Sequence, residues 1–187
     1  EYYLFTRQDR EVVLSRFFAS IGNEYDFILI DTPPSLTLLT LNALCASDYV
    51  VIPVQPEFFS LEGIVKIREA IDDIRARWNP RLSILGVLPT QVSNRRRLTQ
   101  EVVDALRSEL GSILFESSIH DNAAVAESSG HAQSVIEYDR ASRGAKDYLE
   151  AAKELIRRAE RMESSAAETE ETPGRTEIPA ETPEVQS

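Results

Sequence analysis

The chain has 187 residues and a hydrophobic content of 42%, enough for one domain with a sizeable core. Its formal net charge of −11 argues against a protein whose whole surface coats DNA or binds anionic membranes. Cys45 is the only cysteine, which excludes an internal disulfide and a cysteine-cluster metal site and is typical of a reducing cytoplasm. No run of apolar residues reaches transmembrane length.

Hydrophobic periodicity in the first half predicts helices alternating with buried strands. An amphipathic helix is predicted from Asp9 to Gly22 and a second from Ser35, as its cap, to about Ala46. Strands are predicted over 27–31 and over Tyr49–Val54, because both runs are apolar without polar alternation. Cys45, in the second helix, is expected to be a small core residue.

The second half continues this alternation. A long helix is expected from Ser60 to the Asn79-Pro80 stop, with one buried stripe formed by Ile64, Ile67, Ile71, Ile74 and Trp78. The further elements expected are strands at Leu82–Leu88 and near Ile113–Phe115, and helices at Leu98–Leu110, Ala123–Glu127 and Ser142–Met162. Strands that alternate with helices predict βαβ units and an α/β fold with a mostly parallel sheet.

The composition changes near the end of the last predicted helix. Residues 164–187 are rich in Glu, Thr, Pro, Ser and Ala and hold almost no large apolar side chains. Such a segment cannot bury enough surface to offset its ordering entropy. We therefore predict a folded domain over residues 1–162 and a disordered acidic tail over residues 163–187.

The most informative motif runs from Tyr25 to Ser35, where an apolar run ends in a carboxylate and two prolines. Asp31 falls at the carboxyl end of the predicted strand, where open α/β sheets place their ligand crevices. A carboxylate at this position is the Walker B arrangement of P-loop NTPases, whose Asp helps to hold Mg²⁺ on the nucleotide phosphates. The alternative interpretation is a strand that ends in an Asp used only as a turn or helix cap.

Two longer stretches carry a family resemblance, YDFILIDTPPSLTLLTLNAL and YVVIPVQPEFFSLEGI. They resemble the ParA/MinD-type partition ATPases, and most closely the chromosomal, Soj-like ParA branch, and the resemblance extends over about residues 12–157. It implies a P-loop NTPase-like three-layer fold, ATP and Mg²⁺ as cofactors, and a nucleotide-dependent homodimer. It also implies a cytoplasmic, nucleoid-associated protein with a ParB-type partner.

The sequence lacks one part that the resemblance requires. No G-x-x-x-x-G-K-[ST] occurs, and none of the seven glycines is followed by Lys. In the resembling family the P-loop precedes the Walker B strand, so we expect these residues to be the C-terminal part of a longer protein, without its first strands and P-loop. The alternative is a naturally shortened homologue. We expect the 187 residues alone to be inactive as an ATPase and to expose an apolar sheet edge.

The resemblance also implies site residues. Asp31 would act in metal binding and catalysis, Gln55 and Pro56 would lie near the nucleotide and the dimer interface, and Thr90 and Gln91 would lie beside the base. The family usually has Ile-Pro-Arg-Asn at a second base-facing segment, where this chain has Ile119-His120-Asp121-Asn122. His120 could replace the usual contact, or could be an ordinary surface histidine. Each of the loops could equally be an ordinary turn.

A basic cluster, Arg95-Arg96-Arg97, precedes a predicted helix. Arg95 aligns with a position that contacts DNA nonspecifically in Soj-like proteins, and adjacent arginines can neutralise backbone phosphates. A short basic cluster is also often only solvated surface. Further basic positions of the family are occupied here by Asp121, Ala124, Gln133 and Glu137, and the two acidic residues would repel a phosphate backbone.

The function implied by the resemblance is that of a partition ATPase, an ATP-dependent dimeric switch that binds nucleoid DNA nonspecifically. One rival is a pseudo-ATPase that serves as a protein-positioning scaffold, which the altered segment from His120 to Gln133 favours. The other is a MinD-like membrane-associated ATPase, which needs a basic amphipathic C-terminal helix. The last helix has a mixed-charge polar face, and its apolar stripe is expected to be core instead: Tyr148, Leu149, Ala152, Leu155, Ile156 and Ala159.

Overall fold

A computed structural model of the chain describes residues 8–21, 24–33, 35–58, 60–93 and 96–170, the last five of these by backbone alone. In chain order the elements are α1 (Val13–Ile21), α2 (Leu38–Ala46), β1 (Tyr49–Val54), α3 (Ser60–Arg77), β2 (Ser83–Pro89), α4 (Arg97–Leu110), α5 (Ala123–Gly130), α6 (Val135–Tyr138) and α7 (Arg143–Glu170). Most predicted elements therefore form at or near their predicted bounds. Gly22 and Arg95 lie outside the described residues, as does Pro34.

A parallel pair of strands connected by a helix forms the centre of the fold. β1 and β2 pair in register from Tyr49 opposite Ser83 to Val54 opposite Pro89, with one irregularity between Val50 and Val51. The predicted α/β class with a parallel sheet is thus confirmed, and the strand Tyr49–Val54 has its predicted bounds. Because the strands are parallel, their carboxyl ends meet at one edge of the sheet.

A third extended segment lies beside β2. Gly111 ends α4 with a φ of 53° and begins a short 3-10 turn, Gly111–Ile113. Leu114 then forms a parallel bridge with Val87, and the Phe115 amide donates to the Val87 carbonyl at 2.8 Å. The strand predicted near Ile113–Phe115 is therefore only a single bridge, because the 3-10 turn uses its first residue.

The core lies where α3, α4 and the two strands meet. Its buried members include Cys45, as predicted, together with Ile52, Val54, Ile64, Ile71, Ile74, Leu82, Val87, Leu106 and Leu114. Ile67 and Trp78 were expected in the buried stripe of α3 but are exposed. The stripe is narrower than predicted, because in the described structure α3 packs only its Ile64, Ile71 and Ile74 positions inward.

The predicted strand over 27–31 does not form. No strand is assigned there, and Phe27, Ile28 and Leu29 are exposed, Leu29 to 83%. A strand that is apolar on both faces needs neighbours along both edges and across both faces. Within the described residues β1 pairs with β2, and β2 otherwise pairs only through the Val87–Leu114 bridge, so residues 27–31 have no strand partner.

The final helix differs from its prediction in face and in length. Ala159 is buried as predicted and Leu149 and Leu155 are partly buried, but Tyr148, Ala152 and Ile156 are exposed. Ala145, Ala151 and Glu154, which lay outside the predicted stripe, are buried. The prediction went wrong because it excluded charged residues from the buried face. The helix also continues to Glu170, eight residues beyond the predicted end at Met162. Residues 163–170 contain no Gly or Pro and include Ala and Glu, which favour helix.

Two smaller differences have local causes. α2 begins at Leu38 after Thr37, and the Ser35 carbonyl rather than its hydroxyl accepts bonds, from the Thr37 amide and the Thr40 hydroxyl. The short helix α6 was not predicted, although Ser134 and Glu137 form a capping box around its first turn. That Ser-x-x-Glu spacing is a recognised helix-start signal and could have revealed α6 from sequence.

Candidate functional site

The carboxyl ends of β1 and β2 bring two of the predicted site segments together. The Thr90 amide donates to the Val54 carbonyl at 2.8 Å, and the Thr90 hydroxyl reaches the same oxygen at 3.3 Å. The predicted pair Thr90-Gln91 therefore lies directly beside Gln55-Pro56. Gln55 is exposed at this edge, while Pro56 is buried.

Gln55 itself is fixed by the first turn of α3. The Ser60 hydroxyl donates to the Gln55 carbonyl at 2.7 Å, and the Glu57 amide donates to that carbonyl at 2.8 Å. The amide of Glu57 also donates to the Ser60 hydroxyl at 2.7 Å. The loop after β1 is thus an ordered turn that presents the Gln55 side chain to solvent.

Gln91 has an unusual backbone conformation. Its φ is 53°, a left-handed backbone value that residues other than Gly rarely adopt, and its side chain is exposed. The next residue is held firmly: the Val92 amide donates to the Ile119 carbonyl at 3.0 Å, and the Val92 carbonyl accepts from the Asp121 amide at 3.2 Å. The hydrogen bonds of Thr90 and Val92, on either side of Gln91, therefore maintain a backbone conformation that is unfavourable for a non-glycine residue.

His120 lies opposite Val92, with which it forms a parallel bridge. Its backbone amide and its ring Nδ1 both contact Asp147 Oδ2 on α7, at 3.0 and 2.9 Å. Because a carboxylate only accepts hydrogen bonds, Nδ1 carries a proton here. The His120 side chain is 19% exposed, so it is partly buried and paired with Asp147 rather than freely solvated.

His120 is also one of the residues that line a cleft of about 380 Å³ between α4 and α7. Other lining residues are Gln100 and Asp104 of α4, Ser117, and Glu150 of α7. Neither Thr90 nor Gln91 is among the residues that line this cleft. A contact between His120 and a base remains a prediction. Asp147 was missed because its partner is 27 positions away along the chain, and no local pattern marks it.

Asp31 is exposed, and among the described residues no hydrogen bond or ion pair connects it to the other site segments. Within the same part of the chain, no cluster of three or more His, Cys, Asp or Glu side chains could hold a metal. Mg²⁺ commonly binds one or two carboxylates together with substrate phosphates and water. A single free carboxylate such as Asp31 fits that role.

The basic cluster is described in part. Arg96 is exposed directly before α4, and Arg97, whose side chain is 92% exposed, pairs with Glu101 at 2.9 Å. That contact within the helix partly neutralises Arg97, although such exposed pairs are weak. Arg95 lies outside the described residues.

The acidic positions at the predicted DNA face have distinct structural settings. Asp121 is exposed, whereas the Glu137 carboxylate accepts from the Ser134 hydroxyl at 2.8 Å and from its amide at 3.1 Å. These bonds from Ser134 lower the pKa of Glu137. Glu137 therefore stays charged and serves as a helix cap, which gives a structural reason for an acid at this position.

A buried ion pair on α7 was not predicted. Glu154, which is 5% exposed, accepts from the amides of Glu116 and Ser117 and from the Ser117 hydroxyl, at 2.7 to 2.9 Å. Arg158 pairs with Glu154 at 2.8 Å, donates to the Leu114 carbonyl at 2.7 Å and lies over the Phe115 ring. This ion pair connects α7 to residues 114–117, which precede His120 in the chain. Its spacing of four residues was visible in sequence, but such pairs are usually exposed.

Comparisons with known proteins agree with the fold and the sequence motifs. A family model described as an AAA domain matches residues 1–84. The chain is 38% identical over 155 residues to the chromosome-partitioning ATPase Soj of Treponema pallidum, covering 83% of this chain and 61% of that protein. The chain thus spans about six tenths of the length of this curated relative. None of the helices that the structure describes is long and apolar enough to cross a membrane.

Solved structures of related ATP-binding proteins share the fold of this chain. The cell division ATPase MinD of Pyrococcus furiosus aligns with a TM-score of 0.63 at 21% identity, over 79% of this chain and 58% of that one, and shows the shared fold. A cobyrinic acid a,c-diamide synthase from Mycobacterium smegmatis, solved with ADP and magnesium, aligns with a TM-score of 0.59 at 32% identity, over 65% of this chain and 50% of that one. The chain is thus similar in sequence, over most of its length, to a Soj-type chromosome-partitioning ATPase, as its Soj-like motifs predicted, and it shares the fold of the MinD structure.

Proposed function

We propose that the complete protein to which these residues belong is a Mg²⁺-dependent ATPase of chromosome or plasmid partitioning. ATP would drive formation of a homodimer that binds nucleoid DNA nonspecifically, and a ParB-type partner would stimulate release. The observation that supports this most is the sheet edge: Gln55 and Thr90-Gln91 lie side by side where parallel strands end, the usual ligand-binding edge of open α/β sheets.

Binding of ATP would need a phosphate-binding loop in addition to Asp31, Thr90 and Gln91. Asp31 supplies a carboxylate that could hold Mg²⁺ through water, and the metal would offset charge on the phosphates when bound. Thr90 and Gln91 offer hydroxyl and amide groups that can hydrogen-bond a base. The 187 residues contain no P-loop motif, so ATP hydrolysis is proposed for the complete gene product and not for this chain alone.

The DNA contact would be made through the basic cluster before α4. Arg96 is exposed and free to approach a phosphate, whereas Arg97 shares its charge with Glu101. Such contacts position a protein on DNA without reading its sequence, and they weaken as salt rises. The acidic Asp121 and Glu137 would limit how far this surface extends.

The test is ATP-dependent DNA binding by the complete gene product at two salt concentrations. We expect salt-sensitive binding that requires ATP and is lost in Asp31→Ala and in Arg96→Glu. Arg81→Glu is the matched control, because Arg81 is also exposed and the substitution makes the same charge change at the opposite end of β2.

ATP binding without DNA binding would overturn the DNA-tethered switch and favour a protein-positioning scaffold. Equal losses in Arg81→Glu and Arg96→Glu would show that only net charge matters. Binding of anionic vesicles in place of DNA would support the membrane-associated alternative.

A further inference from the structure

We propose that Asp147 is a positioning residue for nucleotide recognition: acting through His120, it holds the loop Thr90–Val92 in the conformation that discriminates the base. The inference rests on the proposed function of ATP binding at the carboxyl edge of the sheet. It assigns a role in that site to α7, an element that contributes none of the predicted site residues.

The first step is the fixed position of His120. One oxygen of Asp147 accepts from both the His120 amide and its ring Nδ1, and both side chains are largely buried, at 15% and 19% exposure. Two bonds to one residue define both its backbone and its ring orientation. His120 is therefore held by α7 at a defined position.

The second step connects His120 to the loop after β2. The residues on either side of His120 both bond to Val92, through the Ile119 carbonyl and the Asp121 amide. The Ile119 amide also donates to the Pro89 carbonyl at 2.9 Å. A displacement of His120 would therefore move both ends of the loop that contains Thr90 and Gln91.

The third step is the conformation of Gln91. A non-glycine residue at a φ of 53° persists only where the surrounding structure holds it, and such residues concentrate at functional sites. The Val92 bonds on one side and the Thr90–Val54 bond on the other provide that restraint. We infer that loss of the Asp147–His120 contact lets Gln91 relax and withdraws its side chain from the base.

Most of the charged side chains around the Asp147–His120 contact form ion pairs of their own. Arg143 of α7 lies 3.9 Å from Asp147, and Asp104 and Arg107 of α4 pair with each other at 3.6 Å. Glu150 of α7 pairs with Lys153 at 2.7 Å. The cleft also contains Glu116, and Asp121 adjoins His120 in sequence.

The experiment measures ATP and GTP affinities of the complete gene product with fluorescent nucleotide analogues. We expect His120→Ala and Asp147→Ala each to reduce the ratio of ATP to GTP affinity at least about threefold, the effect of one lost hydrogen bond. The double variant should lose no more than either single one, because both remove the same contact. His120→Asn should retain the ratio, since its amide can replace the Nδ1 donor.

Asn79→Ala is the matched control for general destabilisation. Asn79 is buried and donates to the Leu44 and Ser47 carbonyls at 2.9 and 2.7 Å, at the opposite end of β2. We expect this variant to melt at a lower temperature with an unchanged affinity ratio. Amide exchange at Val92 should accelerate in His120→Ala and stay slow in Asn79→Ala.

Other outcomes would overturn the proposal. A wild-type protein that binds no nucleotide removes the proposed function and this inference together. Normal ATP binding with an unchanged ratio in both alanine variants removes only the inference. A loss in His120→Ala and His120→Asn but not in Asp147→Ala would identify His120 as a direct base contact instead.

Discussion

Two apolar segments of this chain, residues 27–31 and residues 82–89, read alike in sequence but differ completely in the structure. Leu82 is fully buried and β2 pairs with β1, whereas Leu29 is 83% exposed and its segment forms no strand. The difference lies in the neighbours: Leu82 and Val87 share one buried cluster with residues of α3 and α4, and Arg158 of α7 donates to the Leu85 carbonyl. An apolar pattern indicates that a segment can be buried, but burial requires neighbouring elements that pack against it.

The largest effect should come from the ion pair that attaches α7 beside β2. Glu154→Ala leaves Arg158 unpaired in a largely buried setting, and we expect the free energy of unfolding to fall by about 3–5 kcal/mol. Urea denaturation measures this. Glu150→Ala is the control, because its pair with Lys153 is exposed and should contribute less than about 1 kcal/mol. Equal effects of the two variants would mean that α7 does not stabilise this side of the sheet.

Truncating one leucine in each of the two apolar segments tests which segment is buried. We expect Leu82→Ala to reduce the free energy of unfolding by about 2–5 kcal/mol, because it leaves a cavity in the core. Leu29→Ala should change it by less than about 0.5 kcal/mol, because the side chain is already in contact with solvent. The same denaturation curves test both. A large loss in Leu29→Ala would show that residues 27–31 are packed in solution.

The close packing of β2 can be tested at Gly86. A Cβ at this position would meet the Phe115 ring and lie 2.9 Å from the Ile113 carbonyl oxygen. We expect Gly86→Ala to destabilise the chain by about 1–3 kcal/mol through overpacking. Gly63→Ala in α3 meets nothing within 4 Å and should stabilise the helix by up to about 1 kcal/mol. Thermal melts that rank the two variants in the opposite order would contradict this packing.

The smallest effect is expected in the pH dependence of stability, to which Glu154 contributes. Burial by itself would raise the pKa of Glu154, but the bonds from Ser117, Glu116 and Arg158 outweigh it and lower the pKa below its ordinary 4.5. A lowered carboxyl pKa stabilises the folded state above pH 4.5, and this contribution disappears as pH falls through the folded-state pKa. Wild type should therefore lose stability below pH 4.5 more steeply than Glu154→Gln. Parallel acid-unfolding curves for the two proteins would refute this.

Much of the fold was predictable because local signals agree with it. The strand Tyr49–Val54, the helices beginning near Ser60 and Arg97, and the parallel sheet all follow from apolar periodicity and from Gly and Pro stops. The Soj-like motif from Tyr25 to Gly63 is specific enough to indicate the family by itself, and the relatives confirm it. These features depend on residues close together in the chain.

The tertiary structure alone decided which faces are buried and which side chains meet. It placed Gln55 beside Thr90, gave Gln91 its left-handed backbone, and brought Asp147 to His120 and Glu154 to Ser117. The three side-chain or loop pairings each join residues that are at least 27 positions apart in the sequence. Long-range contacts depend on how helices pack on the sheet, and a local sequence pattern holds no information about the partner that packing will supply.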